Sequence, residues 1–212
     1  MELKTILFDL DGTLLNTNEL IRKSFIHTFE LYNIPYDEDD LAKYNGPPLL
    51  DTFSELNPGY AEEMVKAYRR FNVENHEENI HLFPNAIEML KELHEANIKT
   101  AIVTNKMRDV TLLGMEQTNL IEHFTPERIV TLSDVSKAKP HPEGILKAMD
   151  ILDSDVSSTA IVGDSRFDIE AGHRAGIQTI GVSWSEHGVD FLRSYHPTQI
   201  INDLIDLLDV IS

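Results

Sequence analysis

Short runs of β-branched and apolar residues punctuate this chain at 5–10, 99–104, 128–132, 158–163, 179–183 and, weakly, 199–201. Each has the length of a strand buried on both faces. From Pro84 onward, segments of helical periodicity separate them. Residues 86–93, Ala-Ile-Glu-Met-Leu-Lys-Glu-Leu, read as a helix with Pro84 in its first turn and a stop at Asn97. Arg166 to Ala175 reads as another, closed by Gly176. Continuous apolar strands alternating with helices predict an α/β fold, a doubly wound parallel, Rossmann-like sheet with helices on both faces. The tail from Asn202 to Val210 reads as a short apolar–acidic surface helix.

Residues 16–82 break the alternation. They hold helical patterns at 19–32, 38–44 and 61–73, with turn signals at Gly46-Pro47-Pro48 and Asn57-Pro58-Gly59 and no convincing strand. The expected organisation is a core of 1–15 and 83–212 carrying an all-α insertion at 16–82. Ligands of open α/β sheets bind at the carboxyl ends of strands. An insertion leaving just after the first strand would lie over that edge as a lid.

A net charge of −18 argues against a nucleic-acid partner, because neutralising phosphates needs basic surface. It disfavours an anionic membrane surface for the same reason. An anionic substrate would need a local cluster of metal, Lys and N–H groups to override the overall field. Cysteine is absent, which excludes disulfides and thiol catalysis. The chain opens directly on strand sequence without a leader, and no apolar run reaches the ~20 residues of a membrane helix. The expectation is a cytoplasmic protein.

Chemistry-bearing residues gather at strand ends. The first run stops in Asp9 and Asp11, followed by a Gly12-Thr13 turn. On an extended backbone the two carboxylates share a side. Like charges at the mouth of a sheet are costly unless a cation sits between them, and a divalent metal is the simplest answer. Gly12 permits a backbone shape that frees N–H groups toward an anion. Thr104 and Asn105 follow the second run, Lys139 follows the third, and Asp164 and Asp168 follow the fourth. Phosphoryl transfer needs such a set: positioning, positive charge for spreading negative charge, and a carboxylate nucleophile with a second carboxylate to handle protons. Mg²⁺ suits a few carboxylates, water and substrate phosphate.

Asp9-x-Asp11-Gly12-Thr13, Thr104, Lys139 and Gly163-Asp164-x-x-x-Asp168 match, in order, the four motifs of the haloacid dehalogenase (HAD) superfamily, which the chain resembles throughout. The helical insertion resembles that superfamily's C1-type cap. The resemblance implies Asp9 as nucleophile and Asp11 as general acid/base. It implies Mg²⁺ held by Asp9, Asp164 and the Asp11 backbone carbonyl, with Asp168 supporting the metal shell. Thr104, Asn105 and Lys139 would face the phosphoryl oxygens. A carboxylate at Asp11 favours a phosphatase or phosphomutase over a dehalogenase or phosphonate hydrolase. Asn16 stands where many relatives carry Asp, a departure expected to touch the cap hinge rather than chemistry.

Residues 17–21, 46–53 and 68–72 of the insertion, together with 138–143 and 181–185, resemble the PpaX-type bacterial pyrophosphatases, themselves similar to phosphoglycolate phosphatases. That implies a small phosphorylated substrate, inorganic pyrophosphate first and a phosphomonoester such as phosphoglycolate second, and leaves any protein partner unknown. Gly46 and Arg69 are the candidate cap contacts, with Arg70 and Lys106 as further cations. Gly46 also has a plainer reading as a turn, and Arg69 and Arg70 as solvated-face residues, with Lys106 the better-placed cation. Lys137 and Glu77-Glu78 read as solvated, His141 as a surface residue near the site with orientation of Lys139 the lesser alternative, and Trp184 as packing at the sheet end. A sugar-phosphate mutase and a non-catalytic phospho-ligand sensor are the competing classes. Product analysis separates the first, and failure to release phosphate with Mg²⁺ bound would favour the second.

Overall fold

In a computed structural model residues 2–211 are described, the Glu77 side chain apart. In chain order the elements are β1 (Thr5–Phe8), β2 (Leu15–Asn16), α1 (Asn18–Leu31), α2 (Leu49–Leu56), α3 (Ala61–Glu74), β3 (His81–Leu82), α4 (Ala86–Glu95), β4 (Lys99–Val103), α5 (Arg108–Gln117), β5 (Ile129–Val130), α6 (Glu143–Leu152), β6 (Thr159–Gly163), α7 (Arg166–Ala175), β7 (Gln178–Val182), α8 (Val189–Arg193), β8 (Gln199–Ile201) and α9 (Leu207–Val210). A 3-10 segment, Glu38–Tyr44, lies between α1 and α2.

The main sheet runs β5-β4-β1-β6-β7-β8, with every pair parallel. β1 therefore sits between β4 and β6, where the winding reverses direction. Loops on either side of that point diverge and leave a crevice at the carboxyl edge. Alternation within β1 feeds both faces. Ile6 and Phe8 pack with Leu90, Leu93, Ile102 and Val162. Leu7 packs with Ala101, Val103, Ile145 and Ile161. Burying strands this apolar on both sides is worth roughly 25 cal/mol per Å² and dominates the core.

The helices α1 to α3 bury an aromatic cluster of their own around Phe25, Phe29, Phe53, Met64 and Tyr68. The Phe25 and Tyr68 rings meet edge to face at 4.9 Å, in the favoured range for such pairs. A two-stranded antiparallel ribbon, Leu15 with Leu82 and Asn16 with His81, stands at the base of this segment. With two residues on each side, the ribbon is too short to leave a periodic signal.

Some local expectations shift. Pro84 lies in the turn before α4, not in its first turn, and Asn85 takes a left-handed conformation there with φ +60. Pro47-Pro48 reads as a turn and hides α2, which begins directly after it. The tail is not merely superficial: Leu204 and Leu207 are buried in the main core. Trp184 does close the sheet end, with its ring against Phe83 and its indole N–H donating to the Gly12 carbonyl at 3.1 Å. Glu78 and Lys137 are exposed. The Glu77 side chain lies outside the described residues. No helix among the described residues is long and apolar enough to cross a membrane.

Candidate active site

Asp9 is the first residue past β1, and its N–H still follows the sheet, donating to Val162 O at 2.9 Å. Asp164 is the first residue past β6. Ser165 caps α7, and its N–H and hydroxyl both donate to Asp168 Oδ2, at 3.1 and 2.6 Å. That capping box folds Asp168 back toward the strand. Gly163 makes room, since a Cβ there would overlap the Asp168 side chain. Asp9, Asp164 and Asp168, all buried, thus bring carboxylate oxygens within 4.8 Å of one another.

One ammonium serves this group. Lys139 Nζ donates to Asp9 Oδ1 at 2.6 Å, Asp168 Oδ1 at 2.6 Å and Val103 O at 2.7 Å, which uses its full donor set. Asp9 keeps Oδ2 without a hydrogen-bond partner among the described residues. Three buried carboxylates against one ammonium leave a negative excess. Burial accordingly pushes the Asp9 carboxyl up to about 7 despite the pull of Lys139, with Asp168 adding to the rise. Asp164 is raised well above the usual carboxylate range by burial and then by the charges of Asp9 and Asp168. Burial works against the Lys139 ammonium too, but Asp168 and Asp9 outweigh it and hold the pKa above its ordinary value.

Asp11 faces elsewhere. Its Oδ1 accepts from the Thr17 hydroxyl at 2.8 Å and from Lys106 Nζ at 2.9 Å, toward the helical segment. Its carboxylate is not part of the three-carboxylate group; the metal role expected for it rests on its backbone carbonyl. Gly12 has φ +82, and a Cβ there would overlap the Asp164 carboxylate. Close approach as well as conformation therefore excludes side chains at this position. Its N–H is spent on Leu15 O at 2.8 Å and is not free for an anion, which corrects the expectation for this turn.

Thr104 is buried, and its Oγ1 accepts the Lys106 N–H at 3.1 Å, leaving the hydroxyl hydrogen to donate. Asn105, expected on a phosphoryl oxygen, is committed otherwise. Its Nδ2 donates to Gly46 O at 2.9 Å and Lys139 O at 3.0 Å, and its Oδ1 accepts the Lys139 N–H at 2.8 Å. The amide has matched itself to two stretches of backbone, so no side-chain donor is left for phosphate. His141 does not orient Lys139: its Nδ1 accepts the Glu143 N–H at 3.2 Å.

A single cavity joins Asp9, Asp11, Thr104, Lys106, Lys139 and Asp164 to the helical segment. Gly46 and Arg69 line its far wall, beside Phe25, Tyr44, Leu49 and Tyr68. Arg69 is half-buried and its guanidinium has no partner among the described residues, whereas Arg70 is exposed and not part of the lining. Several lining or contacting residues escaped the sequence reading, among them the aromatics Phe25, Tyr44 and Tyr68, and Thr17 and Phe167. Thr17 lies six positions past Asp11 in a stretch noted only for resemblance. Phe167 had its signal inside the fourth motif, as an aromatic immediately before Asp168.

A strand-end carboxylate with a free oxygen, a buried ammonium and an acidic group with excess negative charge together offer an oxygen nucleophile beside a place that suits a cation. The family model for haloacid dehalogenase-like hydrolases matches residues 6–182. A protein named pyrophosphatase PpaX from Oceanobacillus iheyensis is 41% identical over 211 residues, covering 100% of this chain and 98% of that one. The protein of the same name from Halalkalibacterium halodurans is 42% identical over 212 residues with the same coverage. A solved haloacid dehalogenase-like family hydrolase from Streptococcus pneumoniae superposes with a TM-score of 0.86 at 26% identity, covering 99% of both chains. This chain is a member of the haloacid dehalogenase-like hydrolase family.

Proposed function

We propose that the chain hydrolyses inorganic pyrophosphate to two phosphates through a phospho-Asp9 intermediate. The observation that carries this reading is the Asp9 carboxylate, held by Lys139 at one oxygen and unpartnered at the other, on the floor of a cavity whose walls bring Lys106 and Arg69. The names of the full-length relatives support the substrate. In the first step an Asp9 oxygen attacks one phosphorus and the bridging P–O bond breaks, with Asp11 protonating the leaving phosphate. In the second, Asp11 takes a proton from water as the water oxygen attacks the phosphorus, releasing phosphate and restoring Asp9. Thr104 donates to a phosphoryl oxygen. A phosphoryl group on Asp9 would also compete for the Lys139 N–H that now meets Asp9.

The donor set fits a divalent cation: hard carboxylate oxygens, buried, with more negative charge than Lys139 balances. Asp9 and Asp164 would hold Mg²⁺ with the Asp11 carbonyl, and Asp168 would stand behind them. When bound, the ion supplies charge neutralisation at the phosphoryl oxygens. The segment 16–82 is read as a cap over a core of 1–15 and 83–212, with the β2–β3 ribbon at its base.

The test is Mg²⁺-dependent phosphate release, comparing kcat/KM for pyrophosphate with that for phosphoglycolate and sugar phosphates. Preference for pyrophosphate upholds the reading. The apolar part of the cavity wall, Phe25, Tyr44 and Leu49, favours a second reading, a monoester with a carbon-containing leaving group. A monoester winning the panel would establish it.

Arg69 discriminates the two. A charge-assisted bond to a distal phosphate is worth about 1.5–3 kcal/mol, so Arg69→Ala should lower kcat/KM for pyrophosphate about 10- to 150-fold. A phosphomonoester without a second anion should change by less than about threefold. Equal losses on both substrates would remove Arg69 from the distal site.

Metal binding should also reshape stability against pH. Asp9 and Asp164 have folded-state pKa values raised above their unfolded ones, so the folded chain binds more protons than the unfolded chain between them. Their contribution is full below the ordinary carboxylate range and is lost as pH rises, for Asp9 through about 7. The metal-free protein should therefore lose Tm on going from pH 5 to pH 8. Mg²⁺ at about 100 times its Kd should restore about 5–10 °C at pH 8 and much less at pH 5. Thermal scans with Mg²⁺ and with chelator read this directly, and a Mg²⁺ shift independent of pH would contradict it.

A further inference from the structure

The loop between the 3-10 segment and α2 is pinned to the core on two sides of the cavity mouth. On the β4 side, the Asn105 amide reaches across 59 positions of sequence to donate to the Gly46 carbonyl at 2.9 Å. On the α7 side, Gly46 lies flat against the Phe167 ring, with φ +106; a Cβ there would stand 2.7 Å from the ring edge. The same Asn105 amide holds the backbone of Lys139 by a two-point dock, at 3.0 and 2.8 Å. Lys139 in turn contacts Asp9 at 2.6 Å. One side chain therefore joins the loop that borders the substrate cavity to the ammonium that touches the reacting carboxylate.

We propose that Asn105 is a positioning residue that couples seating of the Gly46 loop to placement of Lys139. The amide can do this because its two N–H groups and its oxygen are disposed like a peptide's, so it pairs with a backbone N–H and C=O and has one donor to spare. With the loop seated, that spare donor has a fixed acceptor and the amide plane is held at three points. With the loop lifted, the amide keeps two bonds and loses the one that ties its plane to the cap. A net hydrogen bond of ordinary strength shifts the seated-to-lifted ratio by about 2- to 12-fold. Closure excludes water and completes the site, so the coupling makes cap position felt at Asp9 through Lys139 without Asn105 touching substrate. The consequence for turnover rests on the phosphohydrolase reading; the consequence for the loop does not.

The native chain has no cysteine, so two introduced ones can carry spin labels without background. Glu62 on α3 and Lys91 on α4 are both exposed and lie in the helical segment and the core. Pulsed dipolar distances between labels at E62C and K91C would be compared in the parent, in N105A, in N105D and in G46A. N105D keeps an acceptor for the Lys139 N–H but puts a carboxylate oxygen against both the Gly46 and the Lys139 carbonyls. G46A unseats the loop at Phe167 and leaves Asn105 and Lys139 untouched.

All three variants should add a longer-distance population, N105A and N105D by loss of the Gly46 bond and G46A by loss of the Phe167 contact. N105A should lower kcat/KM for the preferred substrate at least about fivefold, mainly in kcat. A parent-like distance distribution in N105A and N105D would overturn the proposal, even if activity fell, because Asn105 would then serve Lys139 alone. Absence of phosphate release in the parent would defeat the functional reading and leave the distance result intact.

Discussion

Asp9→Asn should reduce phosphate release by about 10⁴-fold or more while the protein stays folded and gains thermal stability in the absence of metal. An amide in place of the carboxylate matches its shape and can still accept from Lys139 Nζ, but it cannot act as the nucleophile. Asp9 is a carboxylate whose charged form is disfavoured by burial and by Asp168, as its pKa of about 7 records. Removing that charge relieves repulsion with Asp164 and Asp168, so above pH 7 the variant's Tm should equal or exceed that of the parent. Phosphate release and a thermal scan on one preparation decide the matter. Near-normal turnover in the folded variant would refute the nucleophile assignment, and a lowered Tm would refute the charge argument.

Lys139→Met is expected to do the opposite to stability. Methionine fills much of the same volume but leaves Asp9 Oδ1, Asp168 Oδ1 and Val103 O without a donor, in a place where Lys139 and Asp168 side chains are 4% and 0% exposed. Taking one partner from a buried charge group costs about 3–5 kcal/mol. For a chain of 212 residues that is a Tm loss of about 6–20 °C, with activity lost as well. Urea denaturation gives the free energy, and added Mg²⁺ should recover part of it because the ion supplies positive charge to the same oxygens. A cost below about 1 kcal/mol would mean that the carboxylates are protonated or hydrated when Lys139 is absent.

The parallel sheet was legible because its strands are buried on both faces and so carry an unbroken apolar run, which needs no knowledge of neighbours. Residues 199–201 carry that signal only weakly, and β8 is buried only at Ile201 with Gln199 exposed, whereas Arg166–Ala175 was read to the residue from its periodicity and Gly176. Elements of two residues left no such trace, as with β2 and β3. At Pro47-Pro48 the local signal misled: a proline pair marks a turn and also serves as the start of a helix. Asn202–Val210 looked superficial because acidic residues alternate with its leucines, yet Leu204 and Leu207 find the main core.

The sequence by itself determined that Asp9, Thr104 and Asp164 share one edge, since each directly follows a strand and parallel strands end on the same side. It also placed enough carboxylates there to make a cation the expectation. Only the tertiary structure decided how these groups are partnered. Lys139 meets Asp9 across 130 positions, Lys106 meets Asp11 across 95, and Asn105 turns from the phosphate side to Gly46 and Lys139. Strand ends follow from local periodicity, but the choice among available donors is settled by which backbones the folded layers bring within about 3 Å, and no pattern along one segment contains that information.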